Sequence, residues 1–202
     1  MKSKGLVVAL SIIGGILLVG ILTVMWGVGV YNKLVAMNEG VNGAWSQVQN
    51  QYQRRFDLIP NLVETVKGYA THEKETLEQV VEARAKVGQM TISPEVLKNP
   101  QAFQMFEKAQ GDLTAALSRL MVVTENYPNL KANENFLQLQ AQLEGTENRI
   151  AVERKHFNEV VQGYNTAIKT IPTSLIAGFG GFGPKAYFQA QTGAEEAPKV
   201  KF

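Results

Sequence analysis

From Gly5 to Tyr31 this chain carries no charged side chain, and that run constrains everything after it. At about 1.5 Å per residue, residues 5–31 make roughly 40 Å of helix. A hydrocarbon core of about 30 Å is crossed by such a helix with some tilt. A cleaved secretory signal also begins with lysines, but its apolar region is only about 7–15 residues long. This run is longer, and Trp26 and Tyr31 at its far end suit the membrane–water interface. The sequence therefore predicts a single-pass protein whose first partner is the lipid bilayer. Within the span, Ser11 and Gly15 are four apart and present small surfaces through which helix backbones can approach.

Orientation follows from lysine and arginine near the span. Lys2 and Lys4 precede it and Lys33 follows, with Arg54 and Arg55 farther on. The margin of one charge favours a cytoplasmic N-terminus and an extracytoplasmic domain. The chain has 20 Lys and Arg against 18 Asp and Glu, and Lys2 and Lys4 make up the whole difference. A balanced domain of this kind lacks the basic footprint of a nucleic-acid binder. With no cysteine, disulfides, thiolate metal sites and a lipid-modified N-terminal Cys are excluded.

Beyond the span, Leu34, Met37, Val41, Trp45, Val48, Tyr52, Phe56 and Ile59 recur at a mean spacing near 3.6, one face of an amphipathic helix. No proline or turn cluster separates this helix from the span, so it is expected to leave the membrane and enter the bundle without a linker. Pro60 either kinks it or opens the next helix, with Asp57 as a cap upstream. A further helical stretch is expected from Thr71 to about Val87, with Gly88 as its stop. Ser93-Pro94 and Asn99-Pro100 read as caps followed by first-turn prolines. A helix from Pro100 buries Phe103, Phe106, Leu113, Leu117 and Leu120, and Pro128 ends it. The last long helix places Phe136, Leu143, Ile150, Phe157, Tyr164 and Ile171 seven apart, a heptad seam that could also recruit a second copy. Glu153 falls on that seam and needs a partner, for which Arg54 or Arg55 would serve.

These patterns predict an all-α fold: a transmembrane helix running into a long antiparallel, four-helix-bundle-like domain with an irregular Gly/Phe-rich tail. The expected divisions are a basic N-terminus (1–4), the span (5–31), the bundle (32–172), a Gly/Phe-rich segment (173–190) and a flexible tail (191–202).

Chemistry is hard to find. Gly178, Gly180 and Gly183 spell G-x-G-x-x-G, but the dinucleotide site needs a strand before it and a helix after it. Here a helix precedes and Pro184 follows. Glu153 and His156 have the spacing of a di-iron helix, yet such sites need a second copy of the motif, and His72 lacks the glutamate three positions before it. Glu144, Glu147 and Glu153 read as a solvated face. No catalytic, cofactor-binding or metal-binding residue is assigned, and no cofactor is expected. The segment bearing Phe179, Phe182, Tyr187 and Phe188 is either a flexible turn or an apolar surface that docks on a neighbouring subunit or the membrane.

From Tyr31-Asn32 onward the sequence resembles the LemA family. The resemblance is carried by Ala44-Trp45-Ser46-Gln47-Val48 and by Arg54-Arg55-Phe56-Asp57-Leu58-Ile59-Pro60-Asn61-Leu62-Val63-Glu64. It continues in Glu82-Ala83-Arg84-Ala85, Tyr127-Pro128-Asn129-Leu130 and Leu143-Glu144-Gly145-Thr146-Glu147-Asn148-Arg149-Ile150, and covers nearly all of residues 31–190. It implies a helical bundle on one membrane helix in the bacterial inner membrane, with no catalytic or ligand-binding residues to transfer. Some relatives are associated with building or maintaining membrane structures. The family strings containing Trp45, Arg54, Arg55, Asp57, Pro60, Asn61, Glu147, Asn148 and Arg149 are read as structural, an ion pair and a proline-set kink, against the alternative of a partner surface. The functional expectation is a non-catalytic, membrane-anchored scaffold, self-associating and contacting other envelope proteins. The alternative is a membrane-tethered sensor or lipid- or small-ligand-binding module.

Overall fold

The computed structural model describes residues 2–70, 72–90 and 93–189, with side chains from residue 5. The expected flexible tail, 191–202, lies outside the described residues. Helix α1 runs unbroken from Lys2 to Lys67. It is followed by α2 (Lys74–Gly88), a 3-10 turn (Pro94–Lys98), α3 (Pro100–Thr124), the short α4 (Pro128–Lys131), α5 (Glu134–Lys169) and α6 (Thr173–Phe179). The described residues form no strand.

The surface of α1 changes character along its length. Every large apolar side chain from Leu6 to Met25 is more than half exposed, as a lipid-facing helix requires. Burial begins at Leu34 and continues through Val41, Trp45, Val48, Tyr52, Ile59, Leu62 and Val66, a stripe one side wide. The span thus becomes a bundle helix within about one turn of Tyr31.

Helix α5 returns antiparallel along this stripe. Asn133 meets Tyr69, Glu147 meets Arg55, and Trp45 packs on Phe157. The seam residues Phe136, Leu143, Ile150, Phe157 and Tyr164 are buried inside the chain's own core, so they are not free to recruit a second copy. The seam ends there, because α5 stops at Lys169 and Ile171 is 82% exposed. Helices α2 and α3 cover the distal half. Their antiparallel run is marked by Glu73 against Tyr127 and Gln79 against Arg119. Asn99 caps α3 by accepting the Gln101 and Ala102 N–H groups, and Asn133 caps α5 by accepting the Phe136 N–H. Ser93 makes no side-chain cap and introduces only the 3-10 turn. Gly88 is the last residue of α2 but does not act as a left-handed stop. A β-carbon there would lie 3.2 Å from the Phe56 ring, so close packing against α1 is what calls for glycine.

Pro60 neither ends α1 nor opens another helix. Lacking an N–H, it leaves the carbonyl of Phe56, four residues earlier, without its helical donor. Arg84 of α2 supplies a replacement: its Nε donates to Phe56 O at 3.1 Å, and its guanidinium lies over the Phe56 ring, 3.7 Å from the centroid. The proline is thereby accommodated inside a continuous helix, and its freed carbonyl ties α2 to α1.

Two apolar cores result. A distal core contains Ile59, Leu62, Val66, Leu77, Val80, Leu113, Leu117, Leu120, Phe136 and Leu143. A membrane-proximal core contains Leu34, Trp45, Val48, Phe103, Phe106, Ile150, Phe157, Tyr164 and Phe188. Arg55 and Glu147 lie in sequence between the two groups on α1 and α5, and Gln110 follows Ala109, the first distal-core residue of α3. Arg55 is 1% exposed. Its Nη1 donates to Glu147 Oε1 and Thr114 Oγ1, each at 2.7 Å, and its Nη2 donates to Gln110 Oε1. Glu153 is therefore not the acid that pairs with Arg55. It lies nearly two turns beyond Glu147 along α5 and forms no ion pair among the described residues, while Arg54 points outward and is exposed.

Removing one partner of a buried pair leaves an uncompensated group and costs about 3 kcal/mol. For a bundle of this size that is roughly a 10 °C fall in melting temperature. Arg55→Ala is expected to show this fall, whereas Arg54→Ala, at an exposed site, and Glu153→Ala, which removes a half-buried carboxylate without an ion pair, stay within about 2 °C of the parent in the same melts. Arg84→Ala leaves a carbonyl unpaired and should cost about 1–3 kcal/mol. In a Pro60→Ala background the helix supplies its own donor, so the same substitution should cost distinctly less. Equal costs in the two backgrounds would contradict the assigned role of Arg84.

Candidate functional site

The membrane-proximal half of the bundle is narrower, because α2 does not enter it and α3 contributes only its first turns, with Phe103 and Phe106, and the chain's own C-terminal segment covers it. After α6, Gly181 turns the backbone at φ +71°, a left-handed conformation suited to glycine. Residues 182–189 then run back up α5. Two asparagines seven apart hold this strap. Asn165 accepts the Lys185 N–H and donates to the Lys185 carbonyl, each at 2.9 Å. Asn158 does the same with Phe188, again at 2.9 Å. Each amide thus satisfies both polar groups of one strap residue, as a neighbouring β-strand would. Tyr164 Oη adds a bond to Gly183 O, and the Ala186 N–H donates to Leu97 O of the 3-10 turn.

The strap delivers Phe188 into an aromatic box. Its ring centroid lies 4.9 Å from Phe103, 5.4 Å from Phe157 and 6.0 Å from Trp45. Trp45 is fully buried and also contacts Phe106. Arg154 closes the outer side, 4.4 Å from the Phe188 centroid. Its Nη2 donates to Gln189 O and lies 3.4 Å from Glu107 Oε1, and Glu107 accepts the Gln189 N–H at 3.0 Å.

Between this latch and the Arg55 layer is a cleft of about 640 Å³, lined among others by Tyr52, Arg55, Glu107, Gln110, Glu147 and Arg154. Arg55 is paired there with Glu147 and Arg154 with Glu107. Burial raises the Tyr52 hydroxyl pKa, with Arg154 and Arg55 opposing. Partial burial also raises the Glu107 carboxyl, against the Gln189 amide and the Arg154 charge. Among the described residues no three His, Asp or Glu side chains converge as metal ligands.

The residues singled out from sequence separate into distinct places. Trp45, Arg55 and Glu147 belong to the buried core and its polar layer. Arg54, Asp57, Asn61, Asn148 and Arg149 are exposed; Asp57 accepts from Gln53 and the Asn61 carbonyl accepts from Thr65. Ser11 Oγ donates to Val7 O, and a β-carbon on Gly15 would meet nothing within 4 Å. The aromatic group of the tail is divided. Phe188 is buried, Tyr187 is 39% exposed, Phe182 packs edge-on against Tyr31 with centroids 5.4 Å apart, and Phe179 is 93% exposed. Sequence reasoning gave no role to Asn158 or Asn165. Their seven-residue spacing beside the seam was the available signal.

The profile of the LemA family matches residues 44–202. The chain is 29% identical over 175 residues to magnetosome protein MamQ of Magnetospirillum gryphiswaldense, a match covering 78% of this chain and 64% of that protein. It is 28% identical over 176 residues to magnetosome protein MamQ 2 of Paramagnetospirillum magneticum, covering 79% and 64%. Protein LemA of Metamycoplasma hominis is 26% identical over 165 residues, covering 80% of this chain and 69% of the relative. The chain thus spans less than two thirds of the length of the magnetosome proteins it matches.

A carboxyl that holds its proton more tightly when folded loses stabilising value as pH rises through that raised pKa. Glu107 therefore favours the latched strap less at neutral pH than in acid. Glu107→Gln keeps an acceptor for Gln189 and has no charge to desolvate. Its melting temperature should gain on the parent from about pH 4 to about pH 7, with the smallest difference at the acid end. A gap that narrows with rising pH would contradict this assignment.

Proposed function

Because the chain belongs to the LemA family, and because one helix joins its apolar N-terminal span to the far tip of its bundle, we propose that it is a non-catalytic scaffold of the bacterial inner membrane. Such a scaffold presents the bundle to other envelope proteins at a fixed height and angle. The protein is membrane-anchored, and its family carries no assigned activity. The observation supporting the scaffold is the continuity of α1. From Asn32 to Lys67 the helix extends about 55 Å past the span, with α5 and the strap packed along it and no flexible joint between membrane and bundle. The magnetosome names of its relatives favour a role in membrane organisation. The single charge by which Lys2 and Lys4 outweigh Lys33 favours an extracytoplasmic bundle. With the heptad seam consumed internally, self-association is assigned to the small face at Ser11 and Gly15.

A second reading has a specific observation in its favour. In the cleft beside Arg55, the buried Arg55 Nε and Gln110 Nε2 have no protein partner, which suits a membrane-tethered module for a small polar ligand. Stabilisation of the purified protein by such a ligand would favour it over the scaffold.

One cysteine placed at the exposed Gln89, in a chain with none of its own, tests side and geometry together. In intact cells it should react with a membrane-impermeant thiol reagent, whereas a cysteine at Ser3 should not. In vesicles, energy transfer from a dye at residue 89 to acceptor lipids should report one narrow distance, because that residue lies near the level of Phe56, about 40 Å along α1 from Tyr31. A Gly-Ser insertion between Asn32 and Lys33 should broaden it. Equal widths with and without the insertion would remove the rigid stalk, and labelling at residue 3 alone would place the bundle in the cytoplasm.

A further inference from the structure

Helix α6 sits beside the last turns of the apolar span. Ile176 Cδ1 lies over Gly27, where a β-carbon would be only 3.6 Å away, and Phe182 stacks edge-on against Tyr31. A span that begins near Gly5 uses about 20 residues to cross the hydrocarbon core. Gly27 to Tyr31 therefore fall at its far interface, and α6 lies at the same depth. Its inner side is occupied, with Ala177 buried and Ile176 half-buried. Its outer side presents Leu175 and Phe179, four apart and 62% and 93% exposed, and Ile171, two residues before the helix, is 82% exposed. The chain carries no charge from Thr170 to Pro184.

The charge around this foot is one-sided. On α1 no acidic residue occurs before Glu39, and on the return path none occurs from Val160 to Gln189. Lys33 and Lys169 are exposed at this end. An apolar face flanked by lysines and continuous with a membrane span matches the interface of a bilayer containing anionic lipid, where a short amphipathic helix buries its apolar side about 5–10 Å deep.

We propose that α6 is a second membrane contact, an interfacial foot whose Leu175 and Phe179, with Ile171 just before the helix, insert into the leaflet from which α1 emerges. The foot rests on the reading of residues 5–31 as a span. Two contacts on one rigid body hold the tilt of the bundle more tightly than the span does by itself. The strap then links the foot to the aromatic box through Phe182, Lys185 and Phe188.

The test uses the full-length chain in vesicles of phosphatidylcholine with phosphatidylglycerol, with nitroxide labels on single cysteines at Leu18, Gln162, Leu175 and Phe179. Collision with oxygen, which partitions into lipid, is compared with collision with a water-soluble nickel chelate. Positions 175 and 179 should meet nickel several-fold less often than the exposed position 162 and oxygen more often, as position 18 does. If 175 and 179 collide with nickel as freely as 162 while 18 remains in lipid, the foot is refuted and the span stands. If 18 is itself open to nickel, the spanning reading falls, and the foot with it. Labels at 175 and 179 shielded from both reagents would mean that protein, such as a second copy, covers the face, which also overturns the proposal. The labelled side chains are exposed, so melting temperatures should match the parent and folding should not confound the reading.

Discussion

Arg55 is the interaction around which the bundle is arranged. Its guanidinium bonds to one residue of α5 and two of α3, and on α1 and α5 the residues on either side of the contact enter different apolar cores. A planar donor with fixed directions tolerates little sliding. Apolar side chains at heptad spacing would accept a shift of one repeat with modest loss, but a shift of α5 against α1 would take Glu147 away and leave the Arg55 charge in a low-dielectric layer without its carboxylate. Its role is thus more than net stability, since buried pairs contribute little of that. It sets which of several similar antiparallel registers is adopted, the best-attested use of a buried polar residue in helical seams.

With that register set, the two halves of the domain solve different problems. Distally, four helices bury a conventional core. Nearer the membrane α1 and α5 are joined only by the first turns of α3, whose Phe103 and Phe106 meet Trp45, and these do not by themselves enclose Trp45, Phe157 and Tyr164. The strap acts as the missing wall, but a strap has backbone polar groups that a helix would satisfy internally. Asn158 and Asn165 meet that demand, each accepting one N–H and donating to one carbonyl of the same residue. The spacing of seven matches two turns of α5, so both amides face the strap from one side of the helix. This allows the extended segment to cover a helical core without a sheet.

Much of this was legible in the residues. The span, the stripe on α1 and the heptads of α5 follow from apolar periodicity alone, because burial on one side of a helix writes itself into spacing. What was not legible depends on which polar groups meet. Glu147 and Glu153 both follow α5's acidic pattern, and only the register decides that Glu147 faces Arg55. Asn158 and Asn165 look like solvated polar positions until an extended segment lies beside them. The tail itself read as irregular because its order comes from α5 and not from any period of its own. Glycine and phenylalanine residues there serve three purposes: Gly181 turns the chain, Phe188 fills the box, and Phe179 faces outward.

Pro60 shows the same limit from the other direction. A proline inside a helical pattern signals a break because it removes a hydrogen bond and crowds the preceding turn. That reasoning counts only the helix's own donors. Here Arg84 supplies the donor from a neighbouring helix and stacks on the ring of the residue whose carbonyl was freed. The motif string around residues 54–64 and the separate Glu82–Ala85 string therefore describe the two sides of one joint. A continuous α1 and its docking to α2 meet in the same contact. The stalk stays continuous past the proline because another helix completes it, and the local rule fails where tertiary structure supplies the missing group.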